Sequence, residues 1–167
     1  MMTSVLQYLS GLVIATIMGA GLMSGLLFAF SNFVMRALSQ MPAAAGMEAM
    51  QRVNVEIVNP VFLVVFLGTT LLSALVVAVA LLSRGQPGMV WLLAGGLCFL
   101  VGTFGITMAF SVPLNNALAT AQLSSAGEHW PEYVQRWQAW NHGRTLFSLA
   151  ATGLLAVGLF QLSNCRN

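Results

Sequence analysis

The chain has 167 residues but only ten charged ones, six Arg and four Glu, with neither Lys nor Asp; 58% of its residues are hydrophobic and 6% charged. A soluble domain carries about 25% charged residues and needs them to stay dispersed, so this composition excludes a soluble globular protein, a disordered chain and a disulfide scaffold. No basic cluster is present to neutralise phosphates, which excludes nucleic acid as a partner, and the expected surroundings are the lipid bilayer.

Crossing the hydrocarbon core takes roughly 20 apolar residues in a helix. Met1 to Met35 is uncharged and reads as the first span, at about residues 5–35. A cleaved leader would carry a basic start and a shorter apolar stretch. Within this span Gly11, Ala15 and Gly19 are four apart, as are Gly21 and Gly25. These small-residue faces suit close helix packing inside the chain or, alternatively, a homo-oligomer contact. Phe28 and Asn32 continue the second face.

The first long connection, residues 36–59, holds Glu48, Arg52 and Glu56 at four-residue spacing. That places them on one face of a short helix, with two ion pairs available. Asn59-Pro60 reads as an N-cap followed by proline at the first helical position. The second span follows at 60–83, with Asn59, Phe66, Thr70 and Ser73 along one face. Ser83-Arg84-Gly85-Gln86-Pro87-Gly88 is then a tight turn.

The third span is expected at 89–112. Gly95, Gly96, Gly102 and Gly105 are its close-packing residues, and Cys98 an inert thiol within it; Cys165 reads the same way. Thr103, Thr107, Ser111 and Asn115 run four apart. Pro113 and Pro131 predict a kink or restart at each end of a long connection, 113–144. Trp130 and Tyr133 in that connection read as interfacial anchors. The fourth span is expected at 142–162, with Trp137, Asn141, Arg144, Ser148 and Thr152 sharing a face and Trp140 beside them.

The fold class is therefore all-α: a membrane-embedded four-helix bundle, one integral domain over residues 1–167, with short extra helices in its two long connections. Both termini lie on one side with Arg84 and Arg166; Arg36, Arg52, Arg136 and Arg144 lie on the other. The positive-inside rule votes for the second side being cytoplasmic, yet Arg residues kept for a site weaken that vote and leave orientation open. Apolar/polar alternation is missing from these runs, which argues against a barrel.

Each polar stripe grows more polar toward the long connections, so the bundle is expected to close a polar, aromatic-walled cavity there. Intramembrane ionisable groups usually mark function. Arg144 is the residue singled out, against the alternative that it snorkels to the interface. His129, His142, Glu56 and Glu128 offer no metal-ligand spacing, and no metal is expected.

The segments Phe28-Ala29-Phe30-Ser31-Asn32, Met50-Gln51-Arg52-Val53-Asn54 leading to Asn59-Pro60-Val61-Phe62, Val112-Pro113-Leu114-Asn115-Asn116, and Trp137-Gln138-Ala139-Trp140-Asn141-His142-Gly143-Arg144-Thr145 together resemble the anthrone oxygenase-like family. That resemblance spans nearly the whole chain. It implies a four-helix membrane protein of the cell membrane; fungal and actinobacterial members are associated with oxidising polyketide anthrones to anthraquinones with O2. It carries over no catalytic residue set.

If that activity applies, the chemistry needs a base, an oxyanion stabiliser and a flat apolar slot, and no bound cofactor. His142 or Glu56 is the expected base. Arg144 with Asn115 or Asn141 would hold the oxyanion, Trp137 and Trp140 would wall the ring system, and Asn32 and Asn59 complete the expected binding set. The hydrophobic substrate would arrive sideways from the bilayer. The rival expectation is a non-enzymatic bundle that binds an apolar ligand or serves as a subunit of a membrane complex, its polar stripe acting as interhelical glue.

Overall fold

The computed structural model describes the backbone of residues 2–164 and the side chains of residues 8–164; Cys165 and Arg166 lie outside the described residues. Helices account for nearly all of it, as apolar runs without interior breakers require where lipid offers backbone groups no partners. Helix α1 (Met2–Ala29) widens into π turns over Phe30–Val34 and ends as α2 (Met35–Ser39). Helix α3 (Ala43–Glu56) lies in the first long connection, and α4 (Pro60–Leu82) is the second rod. The third rod is α5 (Met89–Leu97), π turns over Cys98–Gly105 and Thr107–Ser111, and α6 (Val112–Thr120). Helix α7 (Ala126–Asn164) is the fourth. All four rods are long and apolar enough to cross a membrane.

The first rod packs against the second and fourth, and the third also packs against the second and fourth, so the four close into a ring. Three apolar clusters fill it along its length. Val13, Val76, Leu92 and Leu155 lie toward the tight turn; Ala20, Phe66, Phe99 and Ala151 form the middle. Met35, Met47, Met50, Trp130 and Trp137 fill a cap under α3.

The expected starting signals hold. Asn59 Oδ1 accepts from the Phe62 amide at 3.0 Å with Pro60 at the first helical position. The tight turn forms with Gly85 and Gly88 at φ 90° and 84°. A Cβ on Gly88 would also stand 2.5 Å from the Gly158 carbonyl oxygen, so the turn is pressed directly onto the fourth rod. Gly88→Ala combines a left-handed backbone with a backbone clash, and is expected to cost about 2 kcal/mol or more; thermal unfolding of the detergent-solubilised protein measures it.

Three expectations change. The second long connection is not 113–144 but a few residues around Leu123–Ser125, and the fourth helix begins at Ala126 rather than 142. At 39 residues it is about 58 Å long, against a hydrocarbon core of about 30 Å. It is therefore longer than a single crossing requires. Second, Pro131 does not break its rod. Pro131 lies inside α7, between the buried Trp130 and Tyr133. Pro113 stands in the first turn of α6, where regular α-helix restarts as expected at Val112 after the π turns Thr107–Ser111 and where proline is tolerated. Third, Trp130 and Tyr133 are not interfacial anchors. They are 3% and 5% exposed, stacked on each other inside the cap.

The small residues of the first rod divide. Gly19 meets Thr69 of α4, and Gly21 faces Thr152 of α7; Gly11 and Gly25 have nothing close to them. Intramolecular packing thus uses part of that face. The pairing of Arg52 is also settled: it bonds Glu48 at 2.8 Å rather than Glu56.

Candidate functional site

The polar ends of the rods meet beneath α3 and enclose a cavity of about 360 Å³, within the range of small-molecule sites. Phe30, Phe62, Phe66 and Trp137 give it aromatic walls; Thr107, Ser111, Asn115, Asn141 and Arg144 supply the polar groups. The exposed side chains of Val55 and Val58 stand at its margin.

Arg144 is 7% exposed. Its Nη1 donates to Thr107 Oγ1 at 3.3 Å and its Nη2 to Asn141 Oδ1 at 2.8 Å. The guanidinium carbon lies 5.3 Å from the centre of the Trp137 ring, a cation–π distance. Nε is buried and has no hydrogen-bond partner. The ion pairs among the described residues, Arg52–Glu48 and Arg136–Glu132, both lie on the surface. Arg144 is therefore a buried cation held by neutral groups alone, and desolvation of such a charge is not offset within the protein.

Asn141 is 0% exposed and ties the fourth rod to the first. Its Nδ2 donates to the Leu27 carbonyl and to Ser31 Oγ, each at 2.8 Å. Ser31 in turn lies 3.0 Å from Thr145 Oγ1. Leu27 and Ser31 flank the point where the first rod widens into π turns.

Asn115 is oriented from the cap. Its Oδ1 accepts from Tyr133 Oη at 2.9 Å and from Trp137 Nε1 at 3.0 Å. Two donors on one oxygen fix the amide orientation, which leaves Nδ2 available on the cavity side. Asn54 of α3 approaches Tyr133 Oη at 3.5 Å.

The stripe at 103, 107, 111 and 115 depends on the irregular third rod. In a regular α-helix, twelve residues leave the last side chain about 120° away from the first. The π turns over Cys98–Gly105 and Thr107–Ser111 take up part of that rotation, so Thr107, Ser111 and Asn115 all reach the cavity. Such bulges are frequent at functional sites.

Of the expected site residues, Asn115, Trp137, Asn141 and Arg144 come together around the cavity. Five do not line it. His142 is exposed, one position round the helix from Asn141. Glu56 is exposed at the end of α3. Asn32 is exposed beside the outward-facing Phe28. Asn59 spends its side chain on the helix cap, Nδ2 donating to the Glu56 carbonyl at 3.0 Å. Trp140 stacks face to face on Phe110, centroids 3.8 Å apart, between the third and fourth rods. Sequence reasoning missed Ser31 and Tyr133 as members of the network, and Gln51 and Asn54 as lining residues. Ser31, Gln51 and Asn54 all stand in the segments that carry the family resemblance, which was the available signal.

The fold and cavity define a class: a four-helix bundle with membrane-length rods and an aromatic, amphiphilic pocket around a buried guanidinium at one end. Residues 61–154 match the anthrone oxygenase family, more than half of the chain, and the protein belongs to that family. No curated protein and no solved structure matches it.

Proposed function

We propose that the protein is a multi-pass oxygenase of the cell membrane that oxidises a hydrophobic aromatic ketone of the anthrone type with O2, at the cavity beneath α3. The observation that carries this reading is Arg144: an unpaired guanidinium in an aromatic-walled pocket of a family member. A carbonyl opposite an activated methylene becomes an oxyanion when the methylene loses a proton. Arg144 stabilises that oxyanion, because a fixed donor in a water-poor site acts where charge develops. Asn115 Nδ2 is the second donor available to the substrate. Trp137 and Phe62 hold the ring plane.

The balance of the reaction needs no group beyond substrate and oxygen. The carbanion carbon bonds to O2 and takes a proton, giving a hydroperoxide; loss of water from it leaves the new carbonyl. One O2 is consumed, one oxygen atom enters the product and the other leaves as water. His142 and Glu56 lie outside the cavity, so in this mechanism neither takes the proton. It is lost to water outside the cavity, and the substrate enters as its anion past the margin near Val55 and Val58.

The purified protein in nanodiscs is expected to consume oxygen and anthrone in equal amounts, above the rate of heat-denatured protein. Equal rates in the two samples would remove the oxygenase reading and leave a ligand-binding bundle.

A further inference from the structure

The cavity holds a cation with no base beside it. Among its described lining residues Arg144 is the sole titratable side chain, and there is no Asp, Glu, His, Lys or Cys. Its buried Nε–H has no acceptor, and the acceptors on its other nitrogens, Thr107 and Asn141, are neutral. A buried charge without a partner is a costly arrangement, and its cost falls when an anion enters. A pocket that must deprotonate a neutral ligand needs a proton acceptor within hydrogen-bond reach, and this one offers none. We infer that the pocket takes its ligand as a preformed monoanion: a flat aromatic acid whose ionised oxygen completes the bonding of Arg144.

This deepens the reading of the cavity as the substrate site and rests on it. Substrates would then be aromatics already ionised in water, such as an enolised ketone or a phenol conjugated with the reacting carbon. Neutral tautomers would bind weakly. The aromatic clause follows from Phe30, Phe62, Phe66 and Trp137 around the same space. Fatty acids and anionic lipids share the oxyanion but lack the plane, and are weaker ligands of this site.

The test uses ligands that cannot be oxidised at the site in question, so it is independent of turnover. Anthracene-2-carboxylate and anthracene-2-carboxamide have nearly the same shape and differ in charge. Their binding to the full-length protein in zwitterionic nanodiscs is followed by fluorescence, with a saturated fatty acid as competitor. The carboxylate is expected to bind about tenfold or more tightly than the carboxamide, since a hydrogen bond to a charged group outweighs a neutral one by that much. Arg144→Gln should abolish the difference, Arg144→Lys should keep part of it, and the fatty acid should displace poorly.

Equal binding of carboxylate and carboxamide to the wild type overturns the inference without recourse to any variant. An unchanged preference in Arg144→Gln does the same. Displacement by the fatty acid at equal concentration overturns the aromatic clause. Carboxylate preference without oxygen uptake would sink the oxygenase reading alone; oxygen uptake without preference would sink this inference alone.

Discussion

Arg144→Met is expected to lower oxygen uptake by about 10²–10³-fold, the usual loss when one oxyanion donor is removed, while the protein stays folded. Met keeps the apolar stem against Trp137 and deletes the charge. The fold should tolerate this because the change strands no carboxylate, and the loss of a donor to Asn141 Oδ1 is set against the removal of an uncompensated buried charge. Its Nη1 and Nη2 meet two neutral oxygens and its Nε meets none. Taking an unpaired charge out of the interior removes its desolvation cost, so little net change in stability is expected. Activity and thermal stability are therefore expected to separate. Oxygen-electrode rates and the unfolding midpoint in one detergent check both halves. A variant as active as the wild type would remove Arg144 from the chemistry.

Asn141→Leu should do the opposite: it should unlock the bundle. Asn141 donates to the Leu27 carbonyl and Ser31 Oγ and accepts from Arg144 Nη2, each at 2.8 Å. Interhelical bonds in bilayers are worth about 0.6–1.7 kcal/mol each, and a stranded buried partner adds about 1–3 kcal/mol. A loss of about 2–4 kcal/mol is expected, read as a lower midpoint of unfolding in detergent. Activity should fall as well, because Arg144 loses the acceptor that holds Nη2. A variant with wild-type stability would mean that the contact between the first and fourth rods does not depend on this residue.

Most of the fold is legible in the sequence because it follows from local rules. Uncharged runs of membrane length specify helices, Asn59-Pro60 marks a start, and Gly85 and Gly88 mark a reversal. Four of the nine expected site residues meet at the cavity: Asn115, Trp137, Asn141 and Arg144. The errors have physical causes. Asn32 continues the small face of Gly21 and Gly25, but the buried face of that helix is Ala20, Met23, Ser24 and Leu27. Small and polar residues alone do not tell a packed face from an outer one. His142 and Glu56 have the chemistry of a base but are exposed, and no local signal says which way such a side chain points.

The sequence by itself determined that this chain forms four helices long and apolar enough to cross a membrane, since it carries too few charges for a soluble surface. It also determined which end carries the polarity, because most of the charges and all the polar stripes converge there. The tertiary structure decided what that end contains. Wide turns in the first and third rods set the register of Ser31, Thr107, Ser111 and Asn115, and that register depends on bonds between rods rather than on residue spacing. Among the described residues it also separated the Arg side chains into four surface charges and one buried cation. Whether a charge has a partner is a property of side chains far apart in the chain, and only packing brings them together or keeps them apart.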